Sequence, residues 1–151
     1  ASAPWLRLGF EPPKFKIMLA KFMKNIYPKF PEKANLDTSH LSRDKEEVKK
    51  YDNDPLVHNQ ATAGTFFETF DAGYWAIEHA EALSNDLFLF HGTEDKLISP
   101  HGSSDFAKNA PKNHLTFKLY DGFYHELHNE PEVDRTRVLN DMLQWINSKL
   151  A

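Results

Sequence analysis

An α/β fold is what this sequence predicts, and three observations carry the prediction. Beyond about residue 85 the pattern runs strand, helix, strand, helix, the order that implies parallel strands joined by right-handed crossovers. The run DLFLFHG (86–92) is continuously apolar rather than alternating, as in a strand covered on both faces. The chain of 151 residues, 40% hydrophobic and 13% aromatic, is one globular domain by length and can bury a sizeable core.

The elements follow in order. Over 14–26 (KFKIMLAKFMKNI), Phe15, Met18, Leu19, Phe22, Met23 and Ile26 recur at helical spacing, with Lys14, Lys21 and Lys24 toward the other side and Pro28 as terminator. A second helix is expected over 42–51, with Ser42 as N-cap, acids early and Lys49 and Lys50 late. A third spans 61–82, with Phe66, Phe70, Tyr74 and Ile77 on one face. The 86–92 strand ends at Gly92, and Ser99-Pro100 opens a helix to about 110, Ser99 capping and Pro100 at its first position. HLTFKLY (114–120) is the next strand. Pro131 opens a last helix with the stripe Leu139, Met142, Leu143, Ile146 and Leu150. Two buried-type parallel strands do not make a sheet alone, so the free edge of 86–90 needs a neighbour, and this sequence is expected not to contain it.

Composition excludes several function classes. A formal charge of −4 gives no general attraction to nucleic acid. Without cysteine there is neither a disulfide framework nor a thiolate metal site. No apolar run reaches the roughly 18 residues a membrane span requires. The start, ASAPWLRLGF, has no initiator Met and no charged-then-apolar leader, and reads as the interior of a longer chain. The absence of cysteine fits any compartment; the expected localisation is cytoplasmic or peripheral membrane.

Reactive groups in open parallel sheets gather beyond the carboxyl ends of the strands. Asp95 follows the first strand in LFLFHGTEDKLISP, and His125 follows the second in FKLYDGFYHEL. Neighbouring strands bring their end loops together, and a carboxylate against a histidine N–H fixes its tautomer and stabilises the imidazolium formed in proton transfer. Glu94, beside Asp95, points elsewhere and is expected in solvent. His128 is expected on the surface or at the start of the last helix. His91, His101, His114, His125 and His128 lack metal-ligand spacing, and no HExxH occurs.

With those residues in view, HGTEDKLISP resembles the acid-bearing loop of α/β-hydrolases and YDGFYHELHNE their histidine loop. LSRDKEEVKKYDNDPL (41–56) narrows the resemblance to the monoacylglycerol lipase and lysophospholipase branch, and the whole chain resembles the C-terminal half of such an enzyme. The resemblance implies a Ser-Asp-His triad in which Asp95 is the acid and His125 the general base. It implies that residues 1–4 end a core strand, 5–82 form a mostly helical cap and 83–151 the C-terminal core. It further implies an acyl channel in the cap, for which Phe22, Phe66, Phe70 and Tyr74 are the candidates, and it implies no cofactor and no metal. The nucleophile elbow, Gly-x-Ser-x-Gly, does not occur: the glycines stand at 9, 64, 73, 92, 102 and 122. The family's His-Gly oxyanion loop is missing too, since His91-Gly92 belongs to the acid loop. The expected partners are therefore a lipid ester substrate and an N-terminal half carrying the serine, on the same or a separate chain. The 14–26 helix offers peripheral membrane contact. Alone, the chain is expected to be inactive. The competing readings are a non-catalytic fragment or lipid-surface module, and a dehalogenase-like or epoxide-hydrolase-like relative, against which the 41–56 segment argues.

Overall fold

The computed structural model describes residues 1–10, 15, 17, 18, 22, 26, 27, 29, 31–33 and 36–150. Of the helix expected over 14–26, Phe15, Ile17, Met18, Phe22 and Ile26 are helical, and its other positions lie outside the described residues. Phe15, Met18, Phe22 and Ile26 are all exposed.

The centre of the fold is a parallel pair, β3 (Leu87–Gly92) and β4 (Leu115–Tyr120), joined through helix α3 (Pro100–Asn109). β3 is buried from Phe88 to Gly92, as its unbroken apolar run requires. Register pairs Leu87 with Leu115 and Gly92 with Tyr120, so both strands finish side by side. The other edge of β3 is not bare. Ser2 bridges Phe90 in parallel, and Ala3 N–H donates to the Phe90 carbonyl at 2.9 Å. The neighbour expected to lie outside this sequence is thus supplied in part by the chain's own first three residues.

Helix α4 (Glu132–Leu150) packs on this sheet, but of the expected stripe only Met142 faces the core. Val138, Met142 and Trp145 meet a core of Ala3, Phe88, Phe90, Tyr120, Phe123 and Leu127. Leu139, Leu143, Ile146 and Leu150 are exposed. The two faces differ by about one residue, roughly 100° of rotation. Trp145 decides between them: its ring stacks near Phe88 and its indole N–H donates to Thr116 Oγ1 at 3.0 Å, satisfying the polar atom as the ring goes under.

Helix α1 (Lys45–Asn53) starts three residues later than expected, because Asp44 caps it by accepting from Glu46 N–H. Ser42 has other work. Its hydroxyl donates to the Asn129 carbonyl at 2.7 Å and accepts from Asp44 N–H. Helix α2 (Ala63–Glu78) is shorter than 61–82: Thr62 caps it, and a 3-10 turn follows at Ala80–Ala82. The residues before it form β2 (Gln60–Thr62), antiparallel to β1 (Pro31–Lys33), a ribbon the sequence pattern does not announce. Ser99 stands at the N-cap of α3 without a capping side-chain bond; its N–H donates to the Arg7 carbonyl instead.

Candidate active site

The ends of β3 and β4 are laced together before any functional side chain is placed. Thr93 N–H donates to the Tyr120 carbonyl and Glu94 N–H to the Phe123 carbonyl, each at 3.0 Å. Thr93 Oγ1 accepts from Gly122 N–H at 2.8 Å and donates to Asp121 Oδ1. Gly122 turns the chain at φ 75°, a conformation glycine adopts without strain. At Gly92 the approach is closer still. A Cβ there would collide with the backbone carbonyl oxygens of Phe123 and Tyr124, so the histidine loop lies directly on this glycine.

This lacing brings Asp95 and His125 into contact. Asp95 is 5% exposed, and its Oδ2 accepts from His125 Nδ1 at 2.7 Å. The same oxygen accepts from His91 Nε2 at 3.0 Å, while Oδ1 accepts from the N–H groups of Leu97 and Ile98, each at 2.9 Å. Burial alone would raise the Asp95 pKa. The hydrogen bonds from His125, His91 and the Ile98 amide override it and lower the carboxyl pKa to about 2. An ionised carboxylate only accepts, so His125 carries its proton on Nδ1 and the neutral ring keeps its lone pair on Nε2. The His125 side chain is 27% exposed, enough to meet a second reactant.

His91, weighed in the sequence only against metal-ligand spacing and as part of the acid loop, turns out to be a partner of Asp95. It is fully buried in β3, its Nε2 facing Asp95 and the Ile98 carbonyl and its Nδ1 2.8 Å from Ser103 Oγ on α3. The signal was available: a histidine inside an otherwise apolar buried strand, four residues before an aspartate, needs partners on both nitrogens. Glu94 and His128 are exposed, the latter in a 3-10 turn at Leu127–Asn129. No cluster of three or more metal-ligating side chains occurs among the described residues.

The candidate aromatics divide. Phe66, Phe70 and Tyr74 form a row along α2, with ring centroids 6.0 and 5.0 Å apart. Phe66 meets Trp5 edge-on at 5.7 Å, and Trp5 packs against Leu97 and Ile98 of the acid loop and Leu41. The row is therefore continuous with the wall behind Asp95. The side of α2 that goes under is Ala63, Phe67, Gly73 and Ile77; of the expected face only Ile77 is buried. Phe22 is exposed.

Residues 1–132 match the family described as serine aminopeptidase S33 (Hydrolase_4). The chain belongs to this α/β-hydrolase family. It is 36% identical over 135 residues to a monoacylglycerol lipase of Mycolicibacterium smegmatis, covering 89% of this chain and 47% of that protein. It is 30% identical over 138 residues to the monoglyceride lipase of Rattus norvegicus, covering 90% of this chain and 45% of the relative. The crystal structure of Paleococcus ferrophilus monoacylglycerol lipase superimposes with a TM-score of 0.87 at 28% identity, over 98% of this chain and 57% of that one. The chain thus spans about half the length of the relatives it matches. No helix among the described residues is long and apolar enough to cross a membrane.

Proposed function

We propose that this chain supplies the acid and the general base of a Ser-Asp-His triad in a carboxylic ester hydrolase acting on monoacylglycerols or similar single-chain lipids. The observation that carries the reading is the 2.7 Å contact between buried Asp95 and His125 Nδ1 at the ends of two parallel strands. The names of the relatives support the substrate class.

The serine comes from an N-terminal half with a Gly-x-Ser-x-Gly elbow, on the same or a separate chain. As its Oγ attacks the ester carbonyl, His125 Nε2 takes the hydroxyl proton. When the tetrahedral intermediate collapses, Nε2 returns that proton to the leaving alcohol, and water then repeats the cycle on the acyl-enzyme. Asp95 holds the ring by Nδ1 and stabilises the imidazolium in between. Without the serine and the oxyanion donors, this chain alone has no enzymatic rate. Residues 1–4 end a core strand, 5–82 form the cap and 83–151 the core. Phe66, Phe70 and Tyr74 line the acyl channel, with Phe22 as a further wall. The outward apolar side chains of Phe15, Met18, Phe22 and Ile26 favour contact with a lipid surface.

Fluorophosphonate labelling with intact mass spectrometry tests the reading. A probe adduct on a Gly-x-Ser-x-Gly serine, in a longer or second polypeptide, is the expected result. A single unlabelled species near 17.5 kDa that does not hydrolyse monoacylglycerol would leave the lipid-surface module instead.

A further inference from the structure

The segment Leu41–Asp44 is held to the histidine loop by more bonds than a cap passing overhead requires. Glu126 N–H donates to the Leu41 carbonyl at 2.7 Å, and Ser42 Oγ donates to the Asn129 carbonyl at 2.7 Å. Arg43 lies with its guanidinium 4.8 Å from the Phe123 ring centre. Its Nε donates to Glu130 Oε2 at 2.8 Å and its Nη2 to Asp134 Oδ2 at 2.6 Å. The Glu130 side chain is completely buried, and its other oxygen, Oε1, accepts from Tyr124 N–H at 2.6 Å. Tyr124 is the residue before His125.

We propose that Arg43 is a positioning residue for the general base, acting through Glu130 on the main chain at Tyr124. The physical chain has three links. A buried carboxylate is tolerated because Arg43 faces it; removing only the cation leaves an uncompensated buried charge, which is relieved by protonation, water entry or displacement of the side chain. Any of these weakens or moves the Oε1 acceptor. The Tyr124 amide then loses its anchor, and the peptide that aims the His125 ring toward Asp95 is free to shift. A misplacement of about 1 Å near a reacting group costs up to about a hundredfold in rate. Leu41 adds a second hold, since it is buried against Leu97 and Ile98, whose amides bind Asp95. The LSRD run therefore touches both loops of the acid–base pair. Its part in this inference rests on the hydrolase reading above.

The test uses the intact hydrolase with monoacylglycerol substrate, alongside the proton resonance of the His125 Nδ1–H, assigned by its loss in His125→Gln. Arg43→Met is expected to lower kcat on the order of tenfold to a hundredfold with KM within roughly twofold, and to shift or broaden that resonance. Adding Glu130→Gln to Arg43→Met removes the stranded charge while keeping an oxygen for Tyr124 N–H, and is expected to recover part of both. Plain loss of stability would not be relieved in this way. If Arg43→Met does not fold, Arg43→Lys keeps the charge without the forked geometry and is expected to give a smaller loss of the same kind. Unchanged kcat and an unchanged resonance in the variant that folds, or a further loss on adding Glu130→Gln, would overturn the proposal. If the wild-type protein does not cleave esters, the function reading fails by itself, and the resonance in Arg43→Met still decides the positioning.

Discussion

Asp95 and the aromatic row of α2 lie on either side of Trp5, and they are built on different rules. The carboxylate receives four directional hydrogen bonds, two from histidines and two from backbone amides, inside a strand-end junction that leaves no room for a methyl group at Gly92. Phe66, Phe70 and Tyr74 meet as rings with varied tilts, and Tyr74 is 39% exposed. The first arrangement is held by directional bonds at fixed distances; the second is apolar ring contact, which tolerates re-packing. Substitutions should therefore act as a switch in one region and as a dial in the other.

The sharpest break is expected at the switch. His125→Ala in the intact hydrolase should lower kcat by roughly 10⁴- to 10⁶-fold, read with a monoacylglycerol under saturating conditions. Next comes Gly92→Ala. Its Cβ would force the Phe123 and Tyr124 carbonyls away, and overpacking of this kind costs about 1–3 kcal/mol, seen as a lower urea midpoint at unchanged slope.

A smaller effect should follow from pH. The folded Asp95 carboxyl titrates at about 2, below its ordinary 3.8, because hydrogen bonds to its charged form outweigh burial. Its contribution to stability is therefore complete above about pH 4 and is lost as pH falls through about 2. The gap between the urea midpoints of wild type and Asp95→Asn should be widest near neutrality and narrow on acidification through that window; a constant gap would assign the effect to shape alone. The smallest change is expected in the dial. Phe70→Ala should lower kcat/KM severalfold for long acyl chains and leave short esters almost unaffected, a contrast within about 1–3 kcal/mol. Equal losses on both would remove the aromatic row from the acyl channel.

Legibility in the sequence followed the same division. The strands at 86–92 and 114–120 and the helix after Pro100 were readable because each is bounded by local signals: an unbroken apolar run, a glycine stop, a proline start. The pairing of Asp95 with His125 was readable because parallel in-register strands put their end loops side by side. What escaped was decided by tertiary contacts. Trp145 outcompeted the leucine stripe of α4 through a hydrogen bond to Thr116, 29 residues upstream, which leaves no trace in helical periodicity. Ser42 gave up its capping role to bind Asn129. The β1–β2 ribbon joins two three-residue segments far apart in the chain, too short for a period to show. His91 hid in plain sight, since a single polar residue does not disturb an apolar run.

The most direct measurement of the central claim is a double-mutant cycle between the acid and the base. With kcat determined for wild type, Asp95→Asn, His125→Ala and the double variant of the intact hydrolase, adding Asp95→Asn to His125→Ala is expected to cost almost nothing further, because Asp95 acts through the imidazole it holds. Losses that multiply would mean the two residues serve the reaction independently, and the triad reading would fall.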